Sequence, residues 1–176
     1  MSLGVGIFGT GFNIRQSLSV FLANVDSSLE HDIQIVLNKP VTRDTVENLL
    51  SGIEGISQIE LWNGGTGKLQ TEIAGTNNGI GITLLPSATR MYKPVFESGK
   101  WISDRPQVIK ENTIPGVVIN QRAAAKLSNP ELGATFPISF RNKSLNVKLT
   151  GIIREFDSAK MYIADSWLTP ANNQPM

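Results

Sequence analysis

Residues 115–127 read PGVVINQRAAAKL, and the segment changes character at its midpoint. The β-branched run Val117-Val118-Ile119 reads as a strand over 117–120. Gln121 to Leu127 follows without a break and reads as a helix rich in alanine, stopped by Pro130 and Gly133. Downstream, residues 135–140 and 145–153 form a predicted hairpin across Arg141-Asn142-Lys143-Ser144, and 161–164 a last short strand. Upstream, residues 91–103 (MYKPVFESGKWIS) are a short irregular or helical stretch ending at Gly99, and residues 166–176 (SWLTPANNQPM) are a polar tail. The second half is therefore expected to be mainly β with one short helix.

The first half carries different periods. Ile14, Leu18, Phe21, Leu22, Val25 and Leu29 recur at steps of three and four, which makes one stripe of an amphipathic helix. Ile33, Ile35 and Leu37 alternate with polar or smaller neighbours and predict a strand. Thr42 can cap a helix, with Val41 and Val46 as a hydrophobic staple, and Val46, Leu49, Leu50 and Ile53 are its expected buried face. Gly55 ends it, and residues 56–62 predict a second strand. Residues 32–62 thus read as one β-α-β unit. Gly64-Gly65 is an expected turn, 68–73 a returning strand, and 80–85 another after the turn at 77–79. The fold class is α+β.

Composition removes several functions. The 16 Lys+Arg and 15 Asp+Glu of the 176 residues leave a net charge of +1, and no basic run marks a nucleic-acid surface. Cysteine is absent, which removes disulfides, thiolate metal sites and cysteine nucleophiles and suits an oxidising compartment. No run approaches the roughly 18 apolar residues of a membrane span, and the N-terminus lacks the basic start of a signal peptide.

The short motifs fail on context. Gly4-Val5-Gly6-Ile7-Phe8-Gly9 spells G-x-G-x-x-G, yet only Met1, Ser2 and Leu3 precede it, too few for the strand a dinucleotide site needs. Its acidic partner would be Asp26 or Glu30, and Asp26 lies in the helical pattern. Gly64-Gly65-Thr66-Gly67-Lys68 resembles a phosphate loop, but Trp62 and Leu69 stand where Gly and Ser or Thr are required. His31 is the single histidine, and no G-x-S-x-G elbow exists. Glu54, Glu60, Glu72, Glu97 and Asp104 are scattered, without a pair at catalytic spacing. Asn142-Lys143-Ser144 is both a glycosylation sequon and a good turn. Trp62, Trp101 and Trp167 are either core anchors or the lining of a pocket. Nothing in the chain demands an enzyme.

The order of the segments is more telling. Across roughly residues 12–167 the chain resembles the extracytoplasmic (periplasmic core) domain of an FtsX/MacB-type ABC transporter permease. A large residue followed by G-R/K-W/F is matched by Val95-Phe96-Glu97-Ser98-Gly99-Lys100-Trp101. The V-V-I-N/S…A…L…G element is matched by 117–120, 123–125, Leu127 and Gly133, and V-x-G-I/V-I/V by Leu149-Thr150-Gly151-Ile152-Ile153. The family returns for a second β-α-β half after the equivalent of Tyr162. Here a polar tail follows, so the first lobe is expected to lack partner strands.

The resemblance implies an organisation and a role. Residues 1–30 would be a membrane-exit linker and amphipathic stalk helix, 31–90 a β-α-β mixed-sheet lobe, 91–160 a mainly β lobe, and 161–176 a return strand and tail. Ile14, Leu18, Phe21, Leu22, Val25 and Leu29 would pack the stalk on its partners. The glycines near the N-terminus would be a joint between helices rather than a nucleotide cradle. The implied role is non-catalytic: the domain couples stalk motion to export, lipoprotein release or activation of a partner. It would hold no cofactor, with ATP on a separate cytoplasmic subunit. The implied partners are that ATP-binding subunit, a second or homologous permease copy, a periplasmic partner protein and the membrane through flanking helices, with no nucleic acid. The location would be the cytoplasmic membrane, facing the periplasm or exterior. A second reading is a ligand-binding sensor whose cleft is lined by Trp62, Trp101 or Tyr92; a hydrolase is disfavoured by the missing nucleophile constellation.

Overall fold

A computed structural model describes residues 28–39, 41–70, 78–106, 113–155 and 157–168. The described residues hold seven strands: β1 (Asn63–Leu69), β2 (Gly79–Leu85), β3 (Phe96–Gly99), β4 (Gly116–Asn120), β5 (Thr135–Phe140), β6 (Lys143–Ile153) and β7 (Lys160–Ala164). Two α-helices accompany them among the described residues, α1 (Arg43–Leu50) and α2 (Gln121–Lys126). The α+β class expected from the sequence is what forms.

The strands close on themselves. β4 lies between β6, to which it is parallel, and β7, to which it is antiparallel. β7 runs parallel to β2, β2 antiparallel to β1, β1 antiparallel to β5, and β5 antiparallel to β6. Six strands therefore make a ring, and a closed ring leaves no edge among its members. Eleven residues let β6 pair with β5 along Lys143–Lys148 and then with the extra strand β3 along Gly151–Ile153.

Burial follows the two-residue strand period. Val117 and Ile119 of β4, Met161 and Ile163 of β7, and Ile80, Ile82 and Leu84 of β2 share one core with Ile138, Val147 and Leu149. Their neighbours Val118, Tyr162, Ala164 and Leu85 face a second cluster with Tyr92, Ile102 and Ile153. All five residues of β4 are buried, which is why its sequence reads as an unbroken apolar run. At its end Asn120 caps α2, its Oδ1 accepting the Ala123 N–H at 3.0 Å. Ala123 and Ala124 are small enough to pack against the first core.

Three expectations need correction. Residues 33–37 and 56–62 are not strands, so 32–62 is not a β-α-β unit. A strand needs a neighbouring backbone, and neither segment has one among the described residues. α1 forms behind Thr42, whose side chain accepts from the Thr45 N–H, but none of its residues is buried and Leu49 is 70% exposed. Of its expected apolar face, Val46 and Leu50 are only half-buried and Leu49 and Ile53 stay exposed. Finally, Gly64-Gly65 lies inside β1 rather than in a turn. A Cβ on Gly64 would stand 2.9 Å from the Ile82 carbonyl oxygen, and one on Gly67 2.9 Å from that of Ser139. The glycines admit neighbouring backbones at close range, a use of glycine in strands distinct from turning.

Strands from both sides of residue 90 share this one sheet, so the mixed-sheet lobe expected over 31–90 has no sheet of its own among the described residues. Ile14, Leu18, Phe21, Leu22 and Val25 of the expected stalk lie outside the described residues, as does Gly4 to Gly9. Leu29 lies within them, bridged antiparallel to Tyr92. Among the described residues, no helix is long and apolar enough to cross a membrane.

Candidate functional site

The aromatic residues singled out in the sequence do meet, as a packed layer over the second cluster. Tyr92 is only 7% exposed and stacks on Tyr162 with ring centroids 5.4 Å apart. Trp62 stands edge-on to Tyr92 at 6.1 Å, Trp101 lies 5.8 Å from both tyrosines, and His31 reaches the outer side of Trp62 at 6.4 Å. Such offset and edge-to-face pairs are the favoured arrangements of rings. Of the three residues offered for a pocket, Trp62 borders the groove described below.

The polar ends of the layer are tied down. The Tyr162 hydroxyl donates to Glu155 at 2.8 Å, and Glu155 pairs with Lys160, which also holds Asp157 at 2.5 Å. Burial pushes the Tyr92 hydroxyl up to about 12 and raises Tyr162 as well, so both rings stay neutral. The Lys160 hydrogen bond, helped by the Ser158 N–H, holds the Asp157 carboxyl below the usual range. Burial pulls Lys160 down, but Asp157 and Glu155 together outweigh it and leave it raised.

Glu60 is a residue that sequence reasoning missed. Its carboxylate accepts from Thr89 Oγ1 at 2.5 Å, the Arg90 N–H at 2.6 Å and Trp62 Nε1 at 3.0 Å. It thereby clasps the chain before β1 to the loop that leads into Tyr92. The one available signal was the spacing of Glu60 and Trp62, which puts both side chains on the same side of an extended chain. Burial pushes Glu60 up, yet these donors together outweigh it and hold the carboxyl below its ordinary value of 4.5. A lowered folded value means that the clasp contributes fully above pH 4.5 and fades as pH falls through that lower value. The melting-temperature gap between wild type and Glu60→Gln is thus expected to be constant above about pH 5.5 and to shrink below 4.5. A gap independent of pH would contradict this role.

The groove beside the clasp has a volume of about 610 Å³. Residues 33–39, Val41, Val46, Glu60, Trp62 and Arg141 are among those that line it. Arg141 and Asn142 make the β5–β6 turn with φ of 51° and 61°, the left-handed pair of a two-residue hairpin. The Arg141 guanidinium donates to Asn63 Oδ1 at 2.8 Å and sits 5.1 Å from the Phe140 ring centre. Among the described residues, no three His, Asp or Glu side chains gather as metal ligands. Among the described residues His31 meets the Met91 carbonyl and the Trp62 ring, and neither is a partner for proton relay.

No family model matches the sequence, and no curated protein does. Solved structures resemble the fold, among them two transporter domains. The periplasmic region of MacB from Actinobacillus actinomycetemcomitans superposes with a TM-score of 0.45 at 12% identity, covering 79% of this chain and 63% of that one. The extracellular domain of the noncanonic ABC-type transporter YknZ from Gram-positive bacteria superposes with a TM-score of 0.52 at 16% identity, covering 77% and 70%. The chain has the fold of that extracellular transporter domain.

Proposed function

We propose that this chain is a non-catalytic extracytoplasmic domain of an ABC transporter permease, coupling movement of its N-terminal segment to export, lipoprotein release or activation of a partner. The likeness of fold to an extracellular transporter domain supports the class. One local observation carries the coupling. Where the chain enters the described residues it is strapped to the aromatic layer: the Glu30 N–H donates to the Met91 carbonyl at 3.0 Å and the Lys93 N–H to that of Ser28 at 2.9 Å. A Glu30–Lys93 ion pair at 2.7 Å and the Leu29–Tyr92 bridge complete the strap. A force on residues 14–29 is delivered to Tyr92, and through its stacking on Tyr162 to β7 of the ring. A closed sheet is stiff enough to move as a body rather than absorb that displacement.

In this reading ATP is bound and hydrolysed by a separate cytoplasmic subunit, a second or homologous permease completes the assembly, and flanking helices hold it in the membrane. Residues 14–29 are the lever. Leu18→Glu with Val25→Glu, placed in the full-length protein, is expected to reduce co-purification with the ATP-binding subunit, or ATP hydrolysis by the assembly, about threefold or more. The thermal melt of the 176-residue chain should not move with the same pair of changes. Unchanged assembly and unchanged hydrolysis would refute the lever.

A further inference from the structure

Three separate stretches of chain are fastened to one segment, residues 86–105, which leaves β2 and runs past β3. Residues 28–31 are held at Met91 and Lys93 by the strap described above. Glu60 and Trp62 are held at Thr89, Arg90 and Tyr92. Residues 165–167 are held at the far end. There the Ser166 hydroxyl donates to Asp104 Oδ1 at 3.0 Å and accepts the Arg105 N–H at 3.1 Å. Trp167 Nε1 donates to the Ser103 carbonyl at 3.0 Å. We infer that residues 86–105 are a yoke that moves the chain before β1 and the chain after β7 as one unit, with Asp104 closing it.

Asp104 closes the yoke because it serves two partners at once. While Oδ1 takes Ser166, Oδ2 accepts the Ser87 hydroxyl at 2.6 Å. Ser87 lies in the turn Pro86–Thr89, where the Thr89 N–H donates to the Pro86 carbonyl at 3.1 Å. Thr89 is in turn the donor to Glu60. One short turn is thus gripped by two carboxylates, Glu60 from the chain entering β1 and Asp104, which also holds the residues that follow β7. Bonds to an ionised acceptor are the stronger kind. The segment between the grips is pinned as well: Tyr92 and Ile102 are buried in the second cluster with Leu85, and Trp101 packs on it. A close-packed core transmits a displacement rather than absorbing it. Arg43 at the start of α1 joins the same end through an ion pair with Asp165 at 3.7 Å. The route from residues 28–30 to 165–167 by way of Thr89, Ser87 and Asp104 crosses no strand of the ring.

The yoke deepens the coupling reading and takes its purpose from it, but it is tested on the 176-residue chain alone, so either can fail without the other. Asp104 is exposed, and Asp104→Ala leaves both core clusters intact. Hydrogen exchange is followed at the Glu30 and Lys93 amides, whose own partners are Met91 and Ser28. Asp104→Ala is expected to speed exchange there about tenfold or more, with the Val118 and Ile119 amides of β4 unchanged. Ser166→Ala should act at the same distant amides. Glu60→Gln and Asp104→Ala grip one turn, so together they should lower the unfolding stability by less than their separate effects combined, the shortfall being about threefold or more in the equilibrium constant. Faster exchange confined to Arg105 and residues 165–168 would overturn the proposal. Equal loss at Val118 and Ile119 would also overturn it, by making Asp104 a support of the whole ring, and so would strictly additive effects of the two carboxylate changes.

Discussion

Asn120→Ala is expected to lower the melting temperature by about 10 °C. Asn120 is fully buried where β4 becomes α2. Its Oδ1 accepts the N–H groups of Ala123 at 3.0 Å and Lys160 at 3.1 Å, and its Nδ2 donates to the Ser158 carbonyl at 2.7 Å. One side chain thus caps a helix and fastens the loop that leads into β7. Truncation removes the partner of three buried or half-buried backbone groups, each costing about 1–3 kcal/mol. A total near 4 kcal/mol, at roughly 2–4 °C per kcal/mol for a chain of this size, gives the expected shift. A thermal melt lowered by less than about 3 °C would mean that water or another group replaces the amide.

Gly99→Ala should be comparably damaging, for a steric reason. Gly99 adopts φ +81°, and a Cβ there would overlap the Thr150 carbonyl oxygen and stand 2.7 Å from the Gly151 Cα. Neither backbone atom can yield without opening the β3–β6 pairing, which begins at this residue. Gly55 provides the internal comparison: its φ is +90°, but nothing lies within 4 Å of the added carbon. Gly55→Ala is expected to cost about 1 kcal/mol of backbone strain alone. Gly99→Ala should cost about 3 kcal/mol or more, because the clash adds to that strain. Equal losses in chemical denaturation would show that β3 gives way freely.

The parts of the fold legible in the sequence are those where local pattern and tertiary context agree. Val117 to Ile119 is strand in propensity and sits between two strands; Gln121 to Lys126 is helix in propensity and is capped by Asn120. The β5–β6 hairpin and the Thr42-capped helix were legible for the same reason. Ile33, Ile35 and Leu37 carry an equally good strand pattern, yet their backbone pairs with none of the described residues, and alternation records an intended face without supplying its partner. Gly64 and Gly67 were illegible because the reason for them lies in Ile82 and Ser139, distant residues whose backbones come close, and Gly65 because its neighbour is the distant Phe140 ring. Of the candidate site, Trp62, Tyr92 and Trp101 were visible as residues, but their meeting in one layer depends on β6 and β7. Glu60 offered no more than its spacing from Trp62, because its other donors Thr89 and Arg90 stand 29 and 30 residues away.

The central claim is that this domain faces away from the cytoplasm, and the absence of cysteine makes that directly measurable. Glu131 lies on an exposed loop outside both core clusters, so Glu131→Cys places a single thiol on the domain. Spheroplasts carrying the full-length variant are treated with a membrane-impermeant maleimide before and after lysis. Extracytoplasmic placement predicts full labelling before lysis and no gain afterwards; labelling that appears only after lysis would contradict it.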